Sequence, residues 1–190
     1  MRLVCLAFVA FFGLIVFQPS HAGKMEKSNE PIVASADKAT IVLMRPGKFV
    51  GAAVAVPVFK VLDQDVEFLG IIDSGSKFAY TVPAGEHIFA TTVFGGPAGV
   101  RFYKAQVEAG KIYYFRARII EGIWGLEPLR GSFLNTQEFE KLDRATDVTV
   151  NSEKTLAWGK DNGKNVTERV RQLQPASIET ENTLKVEDGR

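Results

Sequence analysis

The chain has 190 residues, 46% hydrophobic and 24% charged, with 23 Lys+Arg against 22 Asp+Glu. That length supports one domain with a proper apolar core, or one domain plus an appendage. A net charge of +1 argues against a dedicated nucleic-acid binder, which needs an excess of Lys and Arg to neutralise phosphates. One Cys excludes an internal disulfide, and two His leave little for metal ligation or nucleophile activation.

Met1-Arg2 precedes an apolar run from Leu3 to Phe17, interrupted only by Gly13. Pro19 breaks the run, and Ser20-His21-Ala22 sets small residues three and one positions before a cut. This is the layout of a secretory signal peptide over residues 1–22, cleaved after Ala22. A retained membrane anchor is the competing reading, but the run is shorter than the about 20 residues that span a hydrocarbon core. Cleavage removes Arg2, Cys5 and His21, leaving a charge-balanced, cysteine-free chain with His87 as its one imidazole. Cys5 lies at the start of the apolar run, where it cannot become a lipidated first residue. The expected product is periplasmic or secreted, with no transmembrane span.

Residues 23–37 are polar, carry Pro31 and show no sustained period, and read as a flexible linker. From residue 38 to 132, short apolar or alternating runs are separated by Gly, Pro and Asp, the pattern of an all-β domain. The expected strands are 39–45, 50–61, 66–72, 77–82, 86–94, 100–107, 111–120 and 123–129. The fold class is therefore mainly β: an antiparallel β-sandwich of about eight strands with a C-terminal helical extension. Pro57 marks the second strand as an edge or a bulged one.

Asp73-Ser74-Gly75, Pro83-Ala84-Gly85 and Glu108-Ala109-Gly110 share one chemistry, a three-residue connection with Gly last, where a positive φ is needed. Read as hairpins, they set Phe68 and Ile88 opposite Tyr80, Val66 and Glu86 opposite Val82, and Ala90 opposite Phe78. Both faces of this meander are apolar, so both need cover. A second sheet covers one; the C-terminal helices are the candidate for the other.

Asn135 and Glu138 resemble a capping box opening a short helix, and Asp147 to Val150 suit a last short strand. Leu156, Gly159, Gly163, Val166, Val170 and Leu173 then recur along one helical face within the extension 133–174. Two glycines weaken that helix, so a break or kink at Asp161-Asn162-Gly163 is expected. Residues 175–190 are polar and read as a disordered tail.

Little in the chain points to chemistry. His87 needs a nucleophile and an orienting carboxylate to act as a base; Thr81 is the hydroxyl the hairpin register sets opposite it, and no further triad member is evident. Asp63-Gln64-Asp65 and Asp161-Asn162-Gly163 lack the spacing of a calcium loop. Gly95-Gly96-Pro97-Ala98-Gly99 lacks the Lys-Ser/Thr of a phosphate loop, and strands follow it. No metal or cofactor is expected. Asn165-Val166-Thr167 matches a glycosylation sequon within the helical segment, and Trp124 and Trp158 read as structural.

One surface stands out. Read as a hairpin around Glu108-Ala109-Gly110, the outer face pairs Lys104 with Tyr114 and Phe102 with Arg116, with Arg118 beyond. Such an aromatic–basic face suits a glycan or an anionic partner through stacking and cation–π contacts.

Ala39-Thr40-Ile41-Val42-Leu43-Met44-Arg45-Pro46, Gly70-Ile71-Ile72, Val82-Pro83-Ala84-Gly85-Glu86-His87 and Ala109-Gly110-Lys111-Ile112-Tyr113-Tyr114 together carry a resemblance. Over residues 38 to 130 the chain resembles a bacterial family of exported proteins, often lipoproteins, catalogued as domain of unknown function 2846. The resemblance implies a small β-rich envelope domain and brings no catalytic residues. The chain departs from the lipoprotein members in lacking a usable lipobox Cys. The expected role is non-enzymatic: binding or assembly at the cell envelope, with an envelope protein or polysaccharide as partner. The alternatives are a glycan- or peptidoglycan-binding module using Phe102, Lys104, Tyr114, Arg116 and Arg118, and a hydrolase built on His87.

Overall fold

The computed structural model describes residues 25–47, 54–92, 99–120, 123–172 and 182–190. The signal segment with its Ala22 cleavage site, the 93–98 part of the glycine-rich loop and the Glu121-Gly122 turn lie outside the described residues. No helix among the described residues is long and apolar enough to cross a membrane.

The described strands are β1 (Glu26–Lys27), β2 (Ala39–Arg45), β3 (Val56–Leu62), β4 (Asp65–Ile72), β5 (Ser76–Val82), β6 (Gly85–Thr92), β7 (Val100–Val107), β8 (Ile112–Ile120), β9 (Ile123–Pro128), β10 (Asp147–Val150) and β11 (Thr183–Leu184). Three helices follow β9: α1 (Gly131–Leu134), α2 (Gln137–Arg144) and α3 (Glu153–Gln172). One sheet has the order β1-β10-β5-β2-β8-β9 and the other β11-β7-β6-β3-β4. Side chains of both sheets meet in one core cluster, with Ile41, Leu43, Tyr113 and Phe115 from the first and Val58, Ile71, Phe89 and Tyr103 from the second.

The protein is mainly β, as expected, but its sheets are mixed rather than antiparallel. β2 runs parallel to β8, β10 parallel to β5 and β11 parallel to β7. The three strands beyond the expected eight are short, and two of them, β1 and β11, come from segments too polar to read as strands. Met25 is nonetheless 5% exposed within the core, and β1 pairs with β10. The expected disordered tail is likewise replaced at residues 182–190 by β11 and a 3-10 turn over Val186–Asp188.

The three glycine connections carry the predicted backbone but not the predicted pairing. Gly75, Gly85 and Gly110 all have positive φ (77°, 128° and 79°). Each connection nevertheless takes the chain from one sheet to the other, so β4 and β5, β5 and β6, and β7 and β8 are not ladder partners. A glycine at positive φ permits a sharp reversal without choosing between a neighbouring strand about 4.8 Å away and a facing sheet about 10 Å away. Contacts with distant chain decide it: Gly75 N–H donates to Arg45 O (3.0 Å), and Gly110 N–H donates to Ser35 O and Lys38 O (both 3.1 Å). Tyr80 consequently pairs with Ile41, and Val82 with Ala39. Pro57 sits in an interior strand, ahead of the β3–β6 ladder that begins at Val58, and the expected bulge falls between Val58 and Phe59.

Both outer faces are covered, each by a different helical unit. Val42, Met44 and Tyr114 of the first sheet pack under Leu134 and Phe139 of α1 and α2. Thr136, one residue later than the expected cap, caps α2 by accepting from Phe139 N–H (3.2 Å). The α2 end is also tied to β5, where the Lys77 ammonium donates to Asp143 Oδ1 (2.6 Å) and to its backbone oxygen (2.8 Å). Phe59, Ala90 and Val100 of the second sheet pack under Val166 and Val170 of α3.

α3 is continuous from Glu153 to Gln172, without the expected break. Its two glycines do different things. A methyl at Gly159 would lie 2.2 Å from the Phe68 ring, so the helix backbone rests directly on that side chain. A methyl at Gly163 would meet Phe59 and Val66 at 3.6 and 3.7 Å, ordinary contact. Trp158 adds an edge-to-face contact with Phe68 at 6.1 Å, pinning the helix to β4.

In urea unfolding, Gly159→Ala therefore lowers stability by about 1–3 kcal/mol through overpacking. Gly163→Ala raises it by up to about 1 kcal/mol through helix propensity. Equal shifts in the two midpoints would contradict this placement of the helix.

Candidate functional site

The five residues of the expected aromatic–basic face do not form one surface, because β7 and β8 lie in different sheets. Phe102 and Lys104 lie on the outer face of the second sheet. Phe102 packs beside Val100, Val166 and Val170, and Lys104 pairs with Glu86 at 3.2 Å. Tyr114, Arg116 and Arg118 lie on the outer face of the first sheet. Tyr114 is 4% exposed and meets Phe139 edge-on at 4.9 Å. Arg116 and Arg118 converge on Glu127, Arg116 Nε on Oε2 and Arg118 Nη1 on Oε1, both at 2.8 Å.

What connects the two halves is the segment 182–190, which the sequence reading set aside. Thr183 and Leu184 add to β7 beside Lys104 and Ala105, and Leu184 is fully buried in the inter-sheet core. Asp188, 4% exposed, accepts from Arg130 Nη1 (2.9 Å), Lys185 N–H (2.9 Å) and Gly131 N–H (3.3 Å). Arg190 Nη2 donates to Tyr114 Oη at 2.9 Å, and the guanidinium lies 5.1 Å from the Tyr114 ring centre and 4.6 Å from that of Phe139. Burial raises the Tyr114 phenol above its ordinary value, opposed by the hydrogen bond and charge of Arg190. Tyr114 and Lys104 thus line the path of the segment 182–190, a short strand and a 3-10 turn of the same chain. Leu184 and Gly189 were the signals available in sequence; five charged or polar neighbours from Asn182 to Asp188 hid them.

His87 lies on β6, half-buried, and its Nε2–H donates to Pro83 O at 2.8 Å. Thr81 is not opposite it: Thr81 pairs with Thr40, and His87 with Ala105. Among the described residues no group of three His, Cys, Asp or Glu side chains is placed to hold a metal ion. Thr167 of the sequon donates its hydroxyl to Asp65 Oδ1 (3.0 Å), and Val166 is fully buried.

Two charged features escaped sequence reasoning. Arg45 closes an otherwise uncharged strand and is 1% exposed. Its guanidinium lies 3.9 Å from the centre of the Trp124 ring, and Nη1 donates to Val54 O. Burial lowers its pKa, opposed by the Asp73 charge. One side chain so gathers β2, β9, the approach to β3 and the Asp73 connection. The second feature bridges the sheets, where the Tyr80 hydroxyl of β5 donates to Glu67 Oε1 of β4 at 2.7 Å. The Tyr80 phenol is pushed up from 10 to about 12, first by burial, then by the Glu67 bond and charge.

No protein-family model and no curated protein matches this chain.

Arg45→Ala removes the charge that Asp73 and the Val54 carbonyl face, and is expected to cost about 3–5 kcal/mol in denaturant unfolding. Arg45→Lys recovers only part, lacking the planar group that stacks on Trp124. For Tyr80, the folded pKa lies above the unfolded one, so its contribution is fully present below pH 10 and is lost as pH rises toward about 12. Alkaline titration of stability should show that loss, and Tyr80→Phe should reduce its steepness; an unchanged slope would remove Tyr80 from the linkage.

Proposed function

We propose that this chain is an exported cell-envelope module, a β-sandwich that works by binding or assembly. One observation carries the reading: the fold accepts the segment 182–190 on both sheets, Thr183–Leu184 as a short strand added to β7 and Arg190 bonded to Ile112 of β8, with dedicated contacts for Leu184, Asp188, Gly189 and Arg190. Strand addition at a sheet edge is a general mode of peptide recognition, in which main-chain bonds supply affinity and side-chain sites supply selectivity. The signal-type layout of residues 1–22 supports export, and the resemblance to the domain of unknown function 2846 family supports an envelope setting.

The charged and aromatic side chains are largely engaged in holding layers together: Lys77 with Asp143, Arg116 and Arg118 with Glu127, and Arg45 with Trp124. A glycan platform at Tyr114 draws less support, since Phe139 and Arg190 cover that ring. A hydrolase on His87 draws less still, its Nε2–H being engaged by Pro83 O.

Photo-crosslinking in intact cells, combined with fractionation and N-terminal sequencing, tests the proposal. The expected result is a chain beginning at Gly23 in the envelope or periplasmic fraction, crosslinked to an envelope protein, polymer or second copy. A cytoplasmic chain retaining residues 1–22, or an exported chain with no crosslinked partner, would overturn it.

A further inference from the structure

Asn162 is the one asparagine of this chain that precedes a glycine, within Asp161-Asn162-Gly163. That dipeptide has its own chemistry. Once deprotonated, the glycine backbone nitrogen attacks the asparagine side-chain carbonyl carbon, unhindered because no Cβ stands beside it. The new C–N bond closes a succinimide, and the side-chain nitrogen leaves as ammonia. Water then opens the ring at either carbonyl, giving aspartate or isoaspartate with no change in oxidation state.

α3 opposes that attack in two ways. It is continuous through both residues, and a helix turns each N–H toward the carbonyl four residues earlier. The Asn162 amide is itself held, its Nδ2–H donating to Trp158 O at 2.8 Å. The protection is only as good as the helix, however. Gly159 and Gly163 lie within one turn of Asn162, and each lowers intrinsic helix stability by about 1 kcal/mol relative to Ala. Asn162 is also half-buried rather than enclosed, so water reaches it.

We propose that Asn162 is a self-modification site, deamidated at a rate set by local opening of α3, and that isoaspartate there releases the helix from the second sheet. Local opening is a general property of folded chains, and a helix with two central glycines lies toward its low-stability end. The product routes the backbone through the former side chain, adding a methylene to the chain and a carboxylate beside Asp161. The hydrogen-bond ladder cannot keep its register across that insertion. Val166 and Val170 lie beyond the change, and they are the residues that cover Phe59, Ala90 and Val100. Because the step consumes only water, it proceeds wherever the protein resides and stands apart from the envelope reading.

To test this, the purified full chain is kept warm at mildly alkaline pH, and isoaspartate at position 162 is quantified by peptide mass spectrometry after enzymatic methylation. The expected rate is at least about tenfold higher in urea than in buffer, and several-fold higher in folded Gly159→Ala, whose added methyl crowds Phe68. Trp158→Leu, which removes the ring contact with Phe68 without crowding it, should act in the same direction. In urea, Gly163→Ala should remove most of the product, because the attacking nitrogen then carries a hindered neighbour. The modified chain, separated by charge, should bind an apolar dye more strongly and exchange its α3 amides faster, with β2 and β8 still protected. Absence of product in urea would overturn the site. Equal rates in buffer and urea, or in wild type and both loosened variants, would overturn control by α3. Dye binding and exchange identical to those of the unmodified chain would overturn the release.

Discussion

Val42, Met44 and Tyr114 point away from the inter-sheet core on one side of the molecule, and Phe59, Ala90 and Val100 do so on the other. Sheets apolar on both faces cannot be left open to water on the outside, so each outer face needs its own cover. The rest of the architecture follows from that constraint. The chain after β9 first lays α1 and α2 over one sheet. It then passes through β10 and lays α3 over the other. Gly159 sets how close that second cover comes, because only a residue without a side chain lets the helix backbone rest on Phe68.

A second constraint acts at the strand ends. Chain that repeatedly crosses between sheets must be anchored where it crosses, or a neighbouring strand could slip its register. Arg45 serves this purpose from a fully buried position: its backbone oxygen accepts from Gly75, its guanidinium bonds Val54 O, and its planar group stacks on Trp124. A buried guanidinium is costly to desolvate, so it is tolerated here because carbonyl, ring and the nearby Asp73 charge together replace water.

The residues that sequence reasoning chose for binding show where such reasoning reaches and where it stops. Lys104 and Tyr114 do border a groove, yet not as cross-strand neighbours. The assumed β7–β8 hairpin set them opposite each other, whereas the sheets separate them and the segment 182–190 joins them. That segment has the polar composition of a tail, and its order comes from a few contacts: Leu184 in the core, Asp188 on Arg130, and Arg190 on two rings. Composition averages over such a segment, while burial depends on individual positions. The same holds at the other end of the described chain, where Met25 reaches the core from a stretch that reads as linker.

Strand positions were legible by themselves. Alternation, glycine at positive φ and the helical stripe from Gly159 to Val170 are local properties, written in consecutive residues and independent of what packs against them. The near-neutral charge and the scarcity of Cys and His likewise followed from the sequence alone and bounded the chemistry available. Only the tertiary structure decided which strands share a sheet, because a glycine turn is equally compatible with a hairpin and with a crossing between sheets. It also decided that the polar end of the chain is a strand and a clamp, since the contacts that order it come from residues about 80 positions away, such as Thr183 with Lys104 and Arg190 with Ile112.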